Sequence, residues 1–169
     1  MTSDRRPPMS RTDQREEVKK HKAEVSQAFK RMSFHDDNLI SVRISPSRKR
    51  VNRTGIEFQF EDDSSKKMKT LVFLECANIR YLMDFDVMTD NGFAQTNYVS
   101  VRTEIDPIRR FVLKQMSVWH VRYLPKKRKY TPVREKLRQI REYILFRIEF
   151  FGGVAEVLAK DYRFVRHKA

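Results

Sequence analysis

A single cysteine, Cys76, stands in 169 residues, so no disulfide can form within the chain. That usage fits a reducing compartment. Cys76 follows the apolar run Leu71-Val72-Phe73-Leu74 and reads as a small core residue rather than a nucleophile, since no neighbouring base signature accompanies it. Glycine is also scarce, with four residues at 55, 92, 152 and 153. Collagen-like and flexible low-complexity sequence are thereby excluded, and so is a glycine-rich phosphate loop. No apolar run approaches the ~20 residues that span a bilayer as a helix. The stretch Met1 to Ser10 is polar and lacks the apolar core of a signal peptide. No membrane span and a cytoplasmic location are therefore expected.

The motifs of the commoner enzyme families are missing as well. Gly-x-Ser-x-Gly, His-Glu-x-x-His and Cys-x-x-Cys do not occur. The histidines, His21, His35, His120 and His167, lie outside metal-ligand spacing of one another and of Cys76. Asp84 and Asp86 fit positions 1 and 3 of a calcium loop, but Met88 and Thr89 occupy positions 5 and 6, so that motif fails. These absences weigh against an enzyme, and no cofactor is called for. A metal-dependent enzyme built on His35, Asp36, Asp84 and Asp86 remains the third of three functional readings.

What the chain has in excess is positive charge. Thirty-six Lys and Arg against 22 Asp and Glu give +14. The charge is unevenly spread: residues 71–110 sum to −2, whereas residues 111–169 sum to +10. Between Lys114 and Arg141 lie ten cations and one acid, Glu135, with Trp119, Tyr123 and Tyr130 interleaved. Such a field attracts polyanions, and aromatics among cations can stack on bases. The plainer reading is a solvated basic face with the aromatics in the core. A second basic cluster, Arg48, Lys49, Arg50 and Arg53, falls in a loop. The candidate nucleic-acid-binding residues are these four together with Lys126, Lys127, Arg128, Lys129, Arg134, Arg138 and Arg141. The run Pro125 to Lys129 also has the composition of a short nuclear-localisation signal.

Twelve Phe and six Tyr point to a packed core. The expected fold is α+β: a mostly antiparallel sheet of about five to seven strands, with an N-terminal helix and two further helices packed on it. Residues 1–11 read as a disordered tail and 12–169 as a single domain. Asp13 with Glu16 suggests a helix cap, and Val18, Val25, Phe29 and Met32 form the apolar stripe of a helix over 13–32. Ile40, Val42 and Ile44 alternate with polar residues, as do Ile56, Phe58 and Phe60, which predicts two half-buried strands. Residues 68–75 read as a central third strand. Ile79, Leu82 and Met83 suit a helical turn, and a fourth strand follows near 97–105. Asp106-Pro107 starts a helix over 107–119, Val121 to Leu124 return to strand, and Thr131-Pro132 starts another helix. Residues 143–166 fit either a helical stripe or a hairpin about Gly152-Gly153, and the hairpin, 143–151 with 154–166, is preferred.

Residues 34–75 carry Phe34-His35-Asp36, then Asn38-Leu39-Ile40-Ser41-Val42, a hairpin, and the apolar strand Leu71 to Leu74. In this stretch the chain resembles small bacterial β-rich domains of unknown function and toxin-immunity-type proteins. The resemblance implies a binding module and supplies no functional residues; the net charge departs from the acidic balance common among immunity proteins. The leading expectation is a non-enzymatic protein that binds nucleic acid through a basic face. The alternative is a protein-partner module of immunity or adaptor type, whose basic charge would suit an acidic protein partner.

Overall fold

A computed structural model describes residues 10–32, 34–45, 55–83, 94–123 and 140–167. The chain opens with helix α1, Arg11–Lys30. Ser10 rather than Asp13 is its N-cap; Asp13 is the reciprocal partner of the capping box, with Ser10 Oγ 3.2 Å from the Asp13 amide. Eight strands follow: β1 Asn38–Ser45, β2 Gly55–Glu61, β3 Met68–Leu74, β4 Asn78–Met83, β5 Ala94–Arg102, β6 Ile144–Phe150, β7 Gly153–Ala159 and β8 Asp161–Arg166. Helix α2, Ile105–Tyr123, lies between β5 and β6, and a 3-10 turn, Ile140–Glu142, precedes β6.

All eight strands join one antiparallel sheet in the order β4-β7-β6-β5-β1-β2-β3-β8. The expectation of five to seven strands with three helices is therefore corrected: the protein is mostly sheet, with eight strands and, among the described residues, two α-helices. Two misreadings account for the strand count. Asn78 to Met83 is strand, not a helical turn, because each residue from Asn78 to Met83 has a partner on β7; tertiary pairing overrides the local spacing of Ile79, Leu82 and Met83. The second arm of the predicted 143–166 hairpin is two strands, separated by Lys160 alone. The segment Val121 to Tyr123 continues α2 rather than returning to strand. The helix expected from Thr131 lies outside the described residues.

The sheet consists of two halves. One is β1-β2-β3-β8; the other is β4-β7-β6-β5. Among the described residues, the β1–β5 ladder joins them at Asn38–Gln95 and Leu39–Ala94, beside which the Asp36 amide donates to the Thr96 carbonyl and the Thr96 amide to the Asp37 carbonyl. They are joined again by chain continuity. Strand β7 pairs with β6 and runs through Lys160 into β8, which pairs with β3. Strand β3 likewise runs through residues 75–77 into β4, which pairs with β7. The β3–β4 and β7–β8 arms thus form one bent ribbon. Its bend is stitched by the Lys160 amide to the Leu74 carbonyl at 3.2 Å and the Ala77 amide to the Leu158 carbonyl at 2.8 Å. Glu75 takes the corner at φ 51°, a left-handed conformation unusual for a non-glycine residue. Strand β3, expected to be central, is one strand from the β8 edge.

The halves face each other across a core of aromatic rings. Phe73 of the first half and Phe146 of the second have ring centroids 5.0 Å apart. Phe29 of α1 enters from the helix side, 4.9 Å from Phe146 and 5.1 Å from Tyr162. Ile56, Phe58 and Phe60 are buried as their alternation predicts. Strand β1 departs from its pattern. A bulge between Leu39 and Ser41 sets Leu39 opposite Phe60 and Val42 opposite Phe58, so Leu39 is buried and Ile40 is exposed. A second, smaller core lies on the outer face of the second half. There Ile108, Phe111 and Val112 of α2 pack with Ile140, Tyr143, Leu145 and Leu158.

Candidate functional site

Three cavities are candidates. The first, of about 660 Å³, lies between α1, the start of α2 and the 3-10 turn. Lys22 is its buried polar group. Its Nζ donates to the carbonyls of Thr103 at 2.8 Å and Arg141 at 3.2 Å. Burial draws its pKa below the usual lysine range, opposed by nearby Glu104. The ammonium is thus a bolt that fastens α1 to two carbonyls, 38 positions apart, that precede and follow α2 in the chain.

The second cavity, of about 530 Å³, lies at the Asp37 end of the first half and is polar. Lys69 donates to both oxygens of Asp37 at 2.8 Å and lies 2.7 Å from Asp62 Oδ2. Burial lifts the Asp37 carboxyl above its ordinary range, with Lys69 pulling the other way. Asp62 also accepts from Ser64 Oγ and the Ser65 amide. Hydrogen bonds from Lys69, then Ser64 and Ser65, hold Asp62 well below the carboxylate range. Lys69 itself sits above the usual lysine range: burial lowers it, and the bonds to Asp37 and Asp62 outweigh that. His35 and Asp36, the pair the sequence singled out, meet at 2.7 Å on the exposed rim. Asp36 adopts φ 65°, and its neighbour Asp37 is locked to β5 by Thr96, whose amide and hydroxyl both donate to the Asp37 carbonyl. Asp84 and Asp86 lie outside the described residues. Among the described residues no group of three or more His, Cys, Asp or Glu is placed to hold a metal ion. The cluster's polar groups are taken up by one another and by main chain, which is the chemistry of an anchor.

The third is a groove of about 840 Å³ between α2 and the outer face of β4-β7-β6-β5. Its walls follow from two periodicities. On β5, Tyr98, Ser100 and Arg102 lie at alternate positions and share one face. On α2, Pro107, Arg110, Phe111 and Lys114 recur at three- and four-residue spacing and share one helical face. Phe111 packs toward Leu145, leaving Arg110 and Lys114 along the helix rim.

The floor is a cross-strand row. Arg80 of β4 pairs in register with Glu156 of β7, Glu156 with Arg147 of β6, and Arg147 with Ser100 of β5. The Glu156 side chain is 9% exposed; Arg80 Nη2 lies 2.5 Å from its Oε2 and Arg147 Nη1 lies 3.5 Å from its Oε1. Arg147 Nε also donates to Glu149 at 2.8 Å. Cross-strand opposite charges in this order hold one another in place. Arg80 Nε is buried and has no partner among the described residues. The two floor arginines are matched in charge by Glu149 and Glu156. Lys30, Arg102, Arg110 and Lys114 then leave the groove as a whole strongly positive. Arg102 and Arg110 are exposed and form no ion pair among the described residues. Tyr98 is 60% exposed beside the floor.

No family model, curated protein or solved structure matches the chain. The groove therefore stands on its own chemistry. Of the cations singled out from the sequence, Arg48, Lys49, Arg50 and Arg53 lie outside the described residues, as do Lys126, Lys127, Arg128, Lys129, Arg134 and Arg138. Arg141 can be placed: it is exposed on the 3-10 turn and lines the Lys22 cavity rather than the groove. Trp119 and Tyr123 belong to α2; Tyr130 lies outside the described residues. The groove residues were missed because they come from four strands, β4 to β7, and from two helices, Lys30 of α1 among them. The sequence does carry one signal for them: Arg147 and Glu149 interrupt the otherwise apolar strand Ile144-Leu145-Phe146-Arg147-Ile148-Glu149-Phe150, and Glu156 recurs in the next strand. Alternate charges in a strand whose other face is core mark an outer face built for polar contact.

Proposed function

We propose that this protein is a non-enzymatic binding protein that takes up nucleic acid in the basic groove between α2 and the outer sheet face. The observation that carries the reading is the lining of that groove, where six cations meet two carboxylates that are already paired. Arg102 and Arg110 are exposed in this concavity without an ion pair among the described residues; such cations repel one another unless a polyanion answers them, and counterion release from phosphates supplies the binding energy. The chain's +14 net charge supports the same reading, since it draws polyanions in at long range. Ser100 and the guanidinium groups offer directed donors, and Tyr98 offers a planar apolar surface beside them.

The test is fluorescence anisotropy with labelled oligonucleotides across a salt series. Affinity should fall linearly on a log–log plot as salt rises, because phosphate contacts displace counterions. An absence of binding at low salt, or binding indifferent to salt, overturns the reading.

A further inference from the structure

We infer that the groove receives a single strand with its phosphates on the rim and its bases turned inward over the floor, a deepening that rests on the nucleic-acid reading above. The argument is the separation of two kinds of polar surface. The rim is cationic: Arg102 of β5 and Arg110 of α2 are both exposed and without an ion pair among the described residues. The floor is charge-balanced, because Glu156 lies between Arg80 and Arg147 and Glu149 takes a further bond from Arg147. A balanced floor has little attraction for phosphate. It presents instead fixed donors and acceptors, which is what the edge of a base requires. The guanidinium groups of Arg80 and Arg147 retain N–H donors beyond those directed at Glu149 and Glu156.

Tyr98 decides between one strand and two. Its ring is 60% exposed on the same face of β5 as Ser100 and Arg102. From Tyr98 to Arg102 is about 13 Å along the strand, so a ring and a cation sit within a few nucleotides of each other. A ring in that position can stack only on a base whose face is uncovered. In a duplex each base face is covered by its neighbours, so Tyr98 cannot stack on one without unstacking it. A single strand leaves base faces free to stack.

The experiment uses the full chain and three probes of equal length, about 12 residues: oligothymidylate, its abasic counterpart, and a duplex. Anisotropy is measured across salt for the natural chain, Tyr98→Ala and Tyr98→Phe, with circular dichroism to confirm that each variant folds. Oligothymidylate should bind about 5- to 150-fold more tightly than the abasic strand, the range of one stacked base. Tyr98→Ala should erase most of that preference without changing the salt slope, and Tyr98→Phe should keep it. Equal affinity for abasic strand and oligothymidylate, tighter binding of the duplex, or no response to Tyr98→Ala overturns this inference and leaves the nucleic-acid reading standing. Failure of all three probes to bind with salt dependence overturns both.

Discussion

Arg102 and Arg110 give the sharpest quantitative handle on the groove. One stands on β5 and the other on α2, both exposed and without ion pairs among the described residues, so their removal takes away charge without opening a buried site. If each contacts one phosphate, each contributes about 0.7 to the log–log salt slope on a single strand. At 0.1 M salt that is about 1 kcal/mol of counterion release per contact. The double variant Arg102→Gln/Arg110→Gln should therefore bind oligothymidylate about 25-fold more weakly at 0.1 M, a loss of about 2 kcal/mol. Its slope should be shallower by about 1.4. Because the loss is counterion release, it should shrink as salt rises and vanish near 1 M. Anisotropy titrations at five salt concentrations measure both quantities, and thermal melts of each variant show whether folding is intact. An affinity loss that persists unchanged at high salt would refute the reasoning, since it would mean that these arginines act through short hydrogen bonds or through the fold. An unchanged slope would remove them from the phosphate path altogether.

Burial pushes the Cys76 thiol up to about 12, so a thiol-specific reagent at pH 8 should leave the native chain unmodified and label it at the rate of unfolding, measured by mass spectrometry in rising urea. Gly153 lies against β4, and an added Cβ would stand 2.6 Å from the Leu82 carbonyl and closer still to Met83 Sδ; Gly153→Ala should displace the β4 edge and destabilise the fold by about 1–3 kcal/mol of overpacking strain, read as a lower melting temperature. Asp62 is held below the carboxylate range, so its bonds to Lys69 stabilise the fold above about pH 4 and are lost as pH falls further. Urea midpoints of Asp62→Asn should lie below those of the natural chain at pH 7 and converge with them on acidification. Lys69, raised by the same contacts, contributes stability that disappears only above about pH 10.5. Truncating Phe73 to Ala in the ring cluster should cost about 3–5 kcal/mol in denaturant unfolding.

The strands most legible in the sequence were those whose inner face is apolar and whose outer face is wet. Phe58 and Phe60 on β2, and Ile144, Phe146 and Ile148 on β6, fall where alternation puts them. Strand β1 misled because one bulge residue reverses the parity of everything before it, and a bulge has no side-chain signature. Strand β4 misled because an edge strand buries few side chains and therefore shows no clean alternation. The Asp37–Lys69–Asp62 anchor was invisible because its members are 32 and 7 positions apart in the chain. The groove was invisible for a related reason. Sequence reasoning looks for cations in runs, whereas a sheet face gathers them one per strand. The runs at Arg48–Arg53 and Lys126–Lys129 remain the sequence's own nominees, and their place relative to the groove rests on positions outside the described residues.

The bent ribbon has a consequence for how the chain must be made. Strand β3 finds its outer neighbour in β8, with Thr70 bonded to His167, 97 positions further on. A ribosome releases β1, β2 and β3 long before that neighbour exists. Until then Leu71 and Phe73 face a half-built interior and the outer ladder of β3 is unpaired. The nascent first half is thus an adhesive edge waiting on the last strand, and its protection during synthesis depends on whatever holds the chain until residues 161–166 emerge.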